Sequence, residues 1–128
     1  MTGNGSCKVH VSCQINRSED PSKVKTAVLN IFPELEISIS DELLIGKSHA
    51  IGTLSNSSES IHTKNTRNTY QRILKKNRNE NSTWFFLNKQ AAFVSTVALC
   101  SESNESPLGP IKVVLEGKDI ENIIQSLT

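Results

Sequence analysis

Large aromatic side chains are scarce here: one tryptophan, one tyrosine and four phenylalanines in 128 residues. A core must therefore be assembled mainly from Val, Ile and Leu. A chain of this size forms one domain and buries about two thirds of its unfolded surface, so it needs no disulfide or metal staple. Cysteine is also sparse. Cys7, Cys13 and Cys100 are an odd number, which fits a reducing compartment better than a disulfide framework. No apolar run approaches the roughly 20 residues needed to span a bilayer. The opening MTGNGSCKVH lacks the charged-then-apolar pattern of a secretory leader, so a cytoplasmic location is expected. The Asn-x-Ser/Thr triplets at Asn16, Asn56, Asn81 and Asn104 are then products of an Asn/Ser-rich composition.

Motifs for chemistry are missing as well. Gly3 and Gly5 are not followed by a Gly-Lys-Ser/Thr phosphate loop, and no Gly-x-Ser-x-Gly, His-Glu-x-x-His or paired-carboxylate pattern occurs. Cys7, His10 and Cys13 suggest a metal at first sight. On a strand, however, the two cysteines share one face and His10 takes the other, so one tetrahedral ion cannot easily collect all three. His49 and His62 stand apart from any carboxylate or cysteine at catalytic spacing. The expectation is a protein that is not an enzyme, with no catalytic residues, no metal and no cofactor.

What is present is pattern. Val9, Val11, Cys13 and Ile15 alternate with Lys8, His10, Ser12 and Gln14, as on a half-buried strand. Asp20-Pro21 reads as an N-cap followed by proline at the first helical position; Val24, Ala27, Val28 and Ile31 recur at helical spacing until Pro33. Leu35, Ile37 and Ile39 give a second strand. After Asp41-Glu42, Gly46 and Gly52 rule out a helix and leave a further short strand and a loop. Asn56 and Glu59 have capping-box spacing ahead of a long polar helix over roughly 57 to 79. In STWFFLNKQAAFVSTVAL, Phe85 and Leu87 alternate, then Phe93, Val94, Val97 and Leu99. The reading is two strands joined near Asn88–Ala91, or one long strand with a bulge. Ile111, Val113 and Leu115 form a last strand, and Asp119 caps a helix striped with Ile120, Ile123, Ile124 and Leu127. The order β-α-β(β)-α-β-β-β-α predicts a single α+β domain over 1 to 128. Its architecture is a two-layer sandwich, a mostly antiparallel sheet with helices on one face.

The charge is unevenly placed. Residues 61 to 80 hold six Lys or Arg (Lys64, Arg67, Arg72, Lys75, Lys76, Arg78) against Glu80 alone, while the segments on either side are each net acidic. At 100° per residue Lys64, Arg67, Gln71, Lys75 and Arg78 form a stripe about 80° wide. Arg72 flanks it and Lys76 lies on the far side; Tyr70, Ile73 and Leu74 form an adjacent apolar face. Like charges four apart cost a few tenths of a kcal/mol each, and residues 61 to 79 hold no acid to relieve them. Such a row can track phosphates, with Gln71, Asn65, Asn68 and Asn77 able to bond phosphate, sugar or base edges. Asn88-Lys89-Gln90 is a strand-end turn that can also donate to a phosphate or base. Trp84, Phe85, Phe86 and Phe93 suit base stacking only if a sheet face exposes them, and are otherwise core.

FFLNKQAAFVSTVAL followed by SPLGPIKVVL resembles the central motif of an archaeal family, uncharacterised protein family 0201, described as predicted RNA-binding. SEDPSKVKTAVLNIFPELEI resembles its opening, and Tyr70-Gln71-Arg72-Ile73-Leu74 its central helix. The resemblance covers most of the chain. It implies a fold like that of the ribosomal protein that binds 5S rRNA, and motif residues at Arg67, Gln71, Arg72, Asn88, Lys89, Gln90, Leu108, Gly109 and Pro110. Gly109-Pro110 would shape the turn into the last strand. The family often has an acid where this chain has Lys75, which makes this helix more basic. The resulting expectation is an RNA-binding module whose contacts are Lys64, Arg67, Gln71, Arg72, Lys75 and Arg78, with Asn88, Lys89 and Gln90 as secondary contacts. The alternative is a homodimeric interaction or structural module without nucleic acid. Neither reading involves a membrane.

Overall fold

A computed structural model describes residues 8–48, 59, 67–100, 109–118 and 120–128. The elements are β1 (Lys8–Gln14), α1 (Pro21–Ile31), β2 (Glu36–Ser40), β3 (Leu43–Ser48), α2 (Arg67–Lys76), β4 (Ser82–Asn88), α3 (Lys89–Phe93), β5 (Leu99–Cys100), β6 (Pro110–Glu116) and α4 (Ile120–Leu127). The strands make one six-stranded sheet in the order β2-β3-β1-β6-β4-β5. Every pairing is antiparallel. Among the described residues no helix is long and apolar enough to cross a membrane.

The two-residue periodicity decides which side of the sheet is covered. Val9, Val11 and Cys13 of β1 are buried, as are Leu44 of β3, Phe85 and Leu87 of β4, and Ile111, Val113 and Leu115 of β6. They form one core cluster with Val24, Ala27, Val28 and Ile31 of α1, Tyr70 and Leu74 of α2, Ala92 of α3 and the Ile120, Ile123, Ile124, Leu127 stripe of α4. The helices therefore lie on one face, as the order of elements predicted. The alternate residues of the strands, from His10 and Ser12 to Trp84, Phe86, Lys112 and Val114, are half-buried or exposed on the other face.

The helix α1 begins where the sequence says it should. The Asp20 side chain accepts from the Ser22 amide at 2.9 Å and Pro21 occupies the first helical position. Strands β2 and β3 form a tight hairpin with Ser40 opposite Leu43 and Asp41 at φ 55°. Gly46 sits within β3 because a Cβ there would come within 2.9 Å of Leu35 Cδ1, so the strand passes close to that side chain. Gly109 has φ 81°, a conformation glycine adopts without strain, and leads directly into β6 at Pro110. The expected caps Asn56 and Asp119, and the helix before residue 67 apart from Glu59, fall outside the described residues.

Residues 82 to 100 hold the two expected strands but correct how they are joined. Only β4 and the two-residue β5 are strands, and Lys89–Phe93 between them is the short helix α3. Asn88 is its N-cap, its side-chain oxygen accepting from the Ala91 amide at 2.9 Å. A capped start followed by two alanines prevails over the apolar alternation. The chain then returns through Ser95 at φ 59°, and the Asn88 amide donates to the Ala98 carbonyl at 2.8 Å. Phe93 and Val94 are consequently exposed rather than set in a strand.

Candidate nucleic-acid interface

Helix α2 is held to the sheet by its apolar side and by its C-terminal end. Tyr70 and Leu74 are buried, and the Tyr70 ring meets Phe85 edge-on, with centroids 5.9 Å apart at 76°. Burial pushes the Tyr70 hydroxyl up to about 12. The Leu74 carbonyl accepts from the Thr83 hydroxyl at 2.6 Å, and Asn77 Nδ2 donates to the Trp84 carbonyl at 2.9 Å. These bonds occupy the last turn of α2 and fix its direction along β4. Asn77, anticipated as a nucleic-acid contact, is instead a tether.

With Tyr70 and Leu74 facing inward, the solvent side is occupied by Arg67, Asn68, Arg72, Lys75 and Lys76, all exposed, while Gln71 is half-buried at the border. Burial of that pair, with Ile73 only partly buried, turns the exposed ridge towards Arg72 and Lys76. Lys76, set on the far side by the helical wheel, thus joins the ridge. Among the described residues, no carboxylate lies within ion-pair distance of Arg67, Arg72, Lys75 or Lys76. Arg78, just beyond the helix, differs: its guanidinium pairs with Glu121 of α4 at 2.5 Å, with both side chains partly exposed. Lys64 lies outside the described residues.

Lys89 does not face solvent. Its side chain is completely enclosed, and Nζ donates to the Gln14 carbonyl at 2.6 Å and to Glu19 Oε1 at 3.1 Å. The same Glu19 oxygen accepts from the Asn16 amide and from Asn16 Nδ2 at 2.9 and 2.8 Å. Burial pushes the Glu19 carboxyl up, but the Asn16 hydrogen bonds and Lys89 outweigh it and hold the carboxyl below its ordinary range. Nearby, burial pushes the Cys13 thiol up to about 11, against the pull of Lys89. As α3 starts immediately after the strand, Lys89 is carried into the layer between α3 and β1, and its expected phosphate contact is overturned. Asn88 is committed to the cap. Of the three, Gln90 alone is exposed.

The aromatic residues divide between the faces. Phe85 is core, whereas Trp84 and Phe86 lie on the side away from the described helices, half-buried, with ring centroids 5.1 Å apart. Lys112 Nζ sits 5.2 Å from the centroid of the Trp84 ring. Lys112 did not stand out in the sequence, although its alternation with Ile111 and Val113 already assigns it to that side. At one end of the sheet an open cavity of about 460 Å³ is lined by Lys8, Lys118, Glu80, Glu116 and the Asn79–Ser82 turn; its charges are mixed. His10 and Cys13 occupy opposite faces of β1, which removes the geometry a shared metal ion would need.

Comparison with known proteins follows the sheet. A family model described as RNA binding matches residues 8–116, from the first residue of β1 to the last of β6. A UPF0201 protein of Methanothermobacter thermautotrophicus is 44% identical over 120 residues, spanning 94% of this chain and 89% of that protein. One from Sulfurisphaera tokodaii is 34% identical over 125 residues, spanning 94% and 86%. The crystal structure of a UPF0201 protein from Methanococcus jannaschii superimposes with a TM-score of 0.77 at 28% identity, over 94% of this chain and 91% of that one.

Proposed function

The chain belongs to the UPF0201 family of archaeal proteins, matched by a family model described as RNA binding, and from that premise we propose that it is a non-enzymatic RNA-binding protein whose phosphate contacts come from α2. The observation that carries this reading is the exposed, acid-free ridge of Arg67, Arg72, Lys75 and Lys76. Neighbouring cations on a helix surface are about 5–6 Å apart and repel one another. A polyanion relieves that repulsion and gains entropy by releasing its condensed counterions. Gln71 offers a neutral donor beside the ridge. Arg78 contributes less because Glu121 already neutralises it. Gln90 is the one secondary contact retained. A cytoplasmic location, where RNA is available, is in keeping with the proposal.

The test is charge reversal on the ridge. Arg72→Glu combined with Lys75→Glu touches two exposed side chains, so the fold should persist by circular dichroism. Affinity for RNA at low salt, read by fluorescence anisotropy, should fall at least several-fold. Unchanged affinity would refute the helix as the contact surface. A dimer that persists without nucleic acid, together with no RNA binding at low salt, would favour an interaction module instead.

A further inference from the structure

The sheet face turned away from the helices has its own chemistry. The strand register sets Trp84 opposite Val114 and Val114 opposite His10; in the next row Phe86 lies opposite Lys112 and Lys112 opposite Ser12. These six residues of β4, β6 and β1 form one patch without an acid. Among the described strand residues, the acids of this face are Glu36 and Glu116, at its margins on the sheet edge and at the strand end, while Lys8 and Lys47 add positive charge around it. Trp84 and Phe86 are two residues apart on one strand, their rings tilted by 58°, and both are half-buried. An apolar core needs neither: the rings lie on the opposite side of the sheet from the buried cluster, and no described helix covers them.

We infer that this face is a stacking platform for the unpaired bases of single-stranded RNA. The inference rests on the RNA-binding reading above and adds to it the class of strand recognised. Aromatic rings take the flat face of any base, and single strands are bound by such rings beside cations that follow the backbone. The Lys112 ammonium already lies against the Trp84 ring, where the ring's negative face attracts it. When a base takes the ring, Lys112 is released to a phosphate one strand spacing away. Duplex RNA keeps its bases paired and stacked, so it can use the cations of α2 but not these rings. The charge of the patch also favours RNA over a second copy of the chain, because two such faces would bring lysines together.

Trp84 is the chain's only tryptophan, so its emission reports on the patch directly. The full-length protein is titrated with a short oligouridylate and with a blunt RNA duplex, following anisotropy of the labelled RNA and Trp84 emission together. Oligouridylate should quench Trp84 saturably, and the duplex should bind without quenching. Phe86→Ala should weaken oligouridylate binding about 5- to 100-fold and leave duplex binding intact, with Phe86→Tyr restoring it. Should Phe86→Ala fail to fold, the wild-type quenching and the exposed-site variant Lys112→Gln, expected to weaken oligouridylate selectively, decide the matter. Binding of both RNAs without quenching overturns the platform and leaves the α2 reading standing. Binding of neither overturns both. A dimer that Phe86→Ala dissolves, with Trp84 emission unmoved by RNA, assigns the face to a second copy and overturns the inference.

Discussion

Lys89 shows how little a residue's type says about its use. It lies in a polar tripeptide between apolar runs, yet its ammonium is enclosed and shared between the Gln14 carbonyl and Glu19. Two opposite charges removed from water are tolerated only when both are paired and hydrogen-bonded. Replacing Lys89 by Met leaves the buried Glu19 carboxylate without its counter-charge and should cost about 3–5 kcal/mol in urea unfolding. Adding Glu19→Gln should recover part of that loss, and RNA affinity of folded protein should not change. The pair also sets an acid limit. Because the folded-state Glu19 carboxyl titrates below its ordinary value, its contribution is complete above the unfolded value of about 4.3 and disappears as pH falls through the lower folded one. Glu19→Gln should therefore flatten stability against pH in that acid window and leave neutral-range slopes alone.

At the scale of elements, α3 depends on one cap. Asn88→Ala removes the acceptor for the Ala91 amide and should cost about 1 kcal/mol, whereas Asn88→Asp, which keeps an acceptor, should cost much less in the same unfolding assay. The sequence foretold α1 because cap, proline and stripe agreed, and α4 from its stripe, and both pack as their stripes require. It misled over residues 89–98, where apolar spacing favoured a strand and a five-residue helix too short to show a period was formed instead, the strand being confined to Leu99–Cys100. It named the cations of α2 and their apolar neighbours but set Lys76 on the wrong side. The apolar face of Tyr70, Ile73 and Leu74 was legible, but not the tertiary fact that Tyr70 and Leu74 alone seat fully against the core and so turn Lys76 into the ridge. For the same reason Arg78 gave no hint of Glu121, 43 residues away, nor Lys89 of Glu19, 70 residues away.

Taken among the described residues, the molecule has two unlike outer surfaces. On the helical side, α2 presents unpaired cations; across the sheet, Trp84 and Phe86 lie half-buried beside the exposed Lys112. The near-zero net charge conceals this, because acids elsewhere in the chain cancel the basic segment in the sum, while among its described cations Arg78 alone is paired with one of them, Glu121. A long-range attraction from the ridge would draw an RNA backbone in, and would weaken as the Debye length shrinks from about 30 Å at 0.01 M salt to about 10 Å at 0.1 M. The account turns on counterion release at that ridge, so the decisive measurement is the salt dependence of single-stranded RNA affinity. If about four phosphates are neutralised, log K should fall with log salt at a slope near −3, and reversing Arg72 and Lys75 should make it shallower by about 1.4. A slope near zero, or one that the reversal leaves untouched, would contradict it.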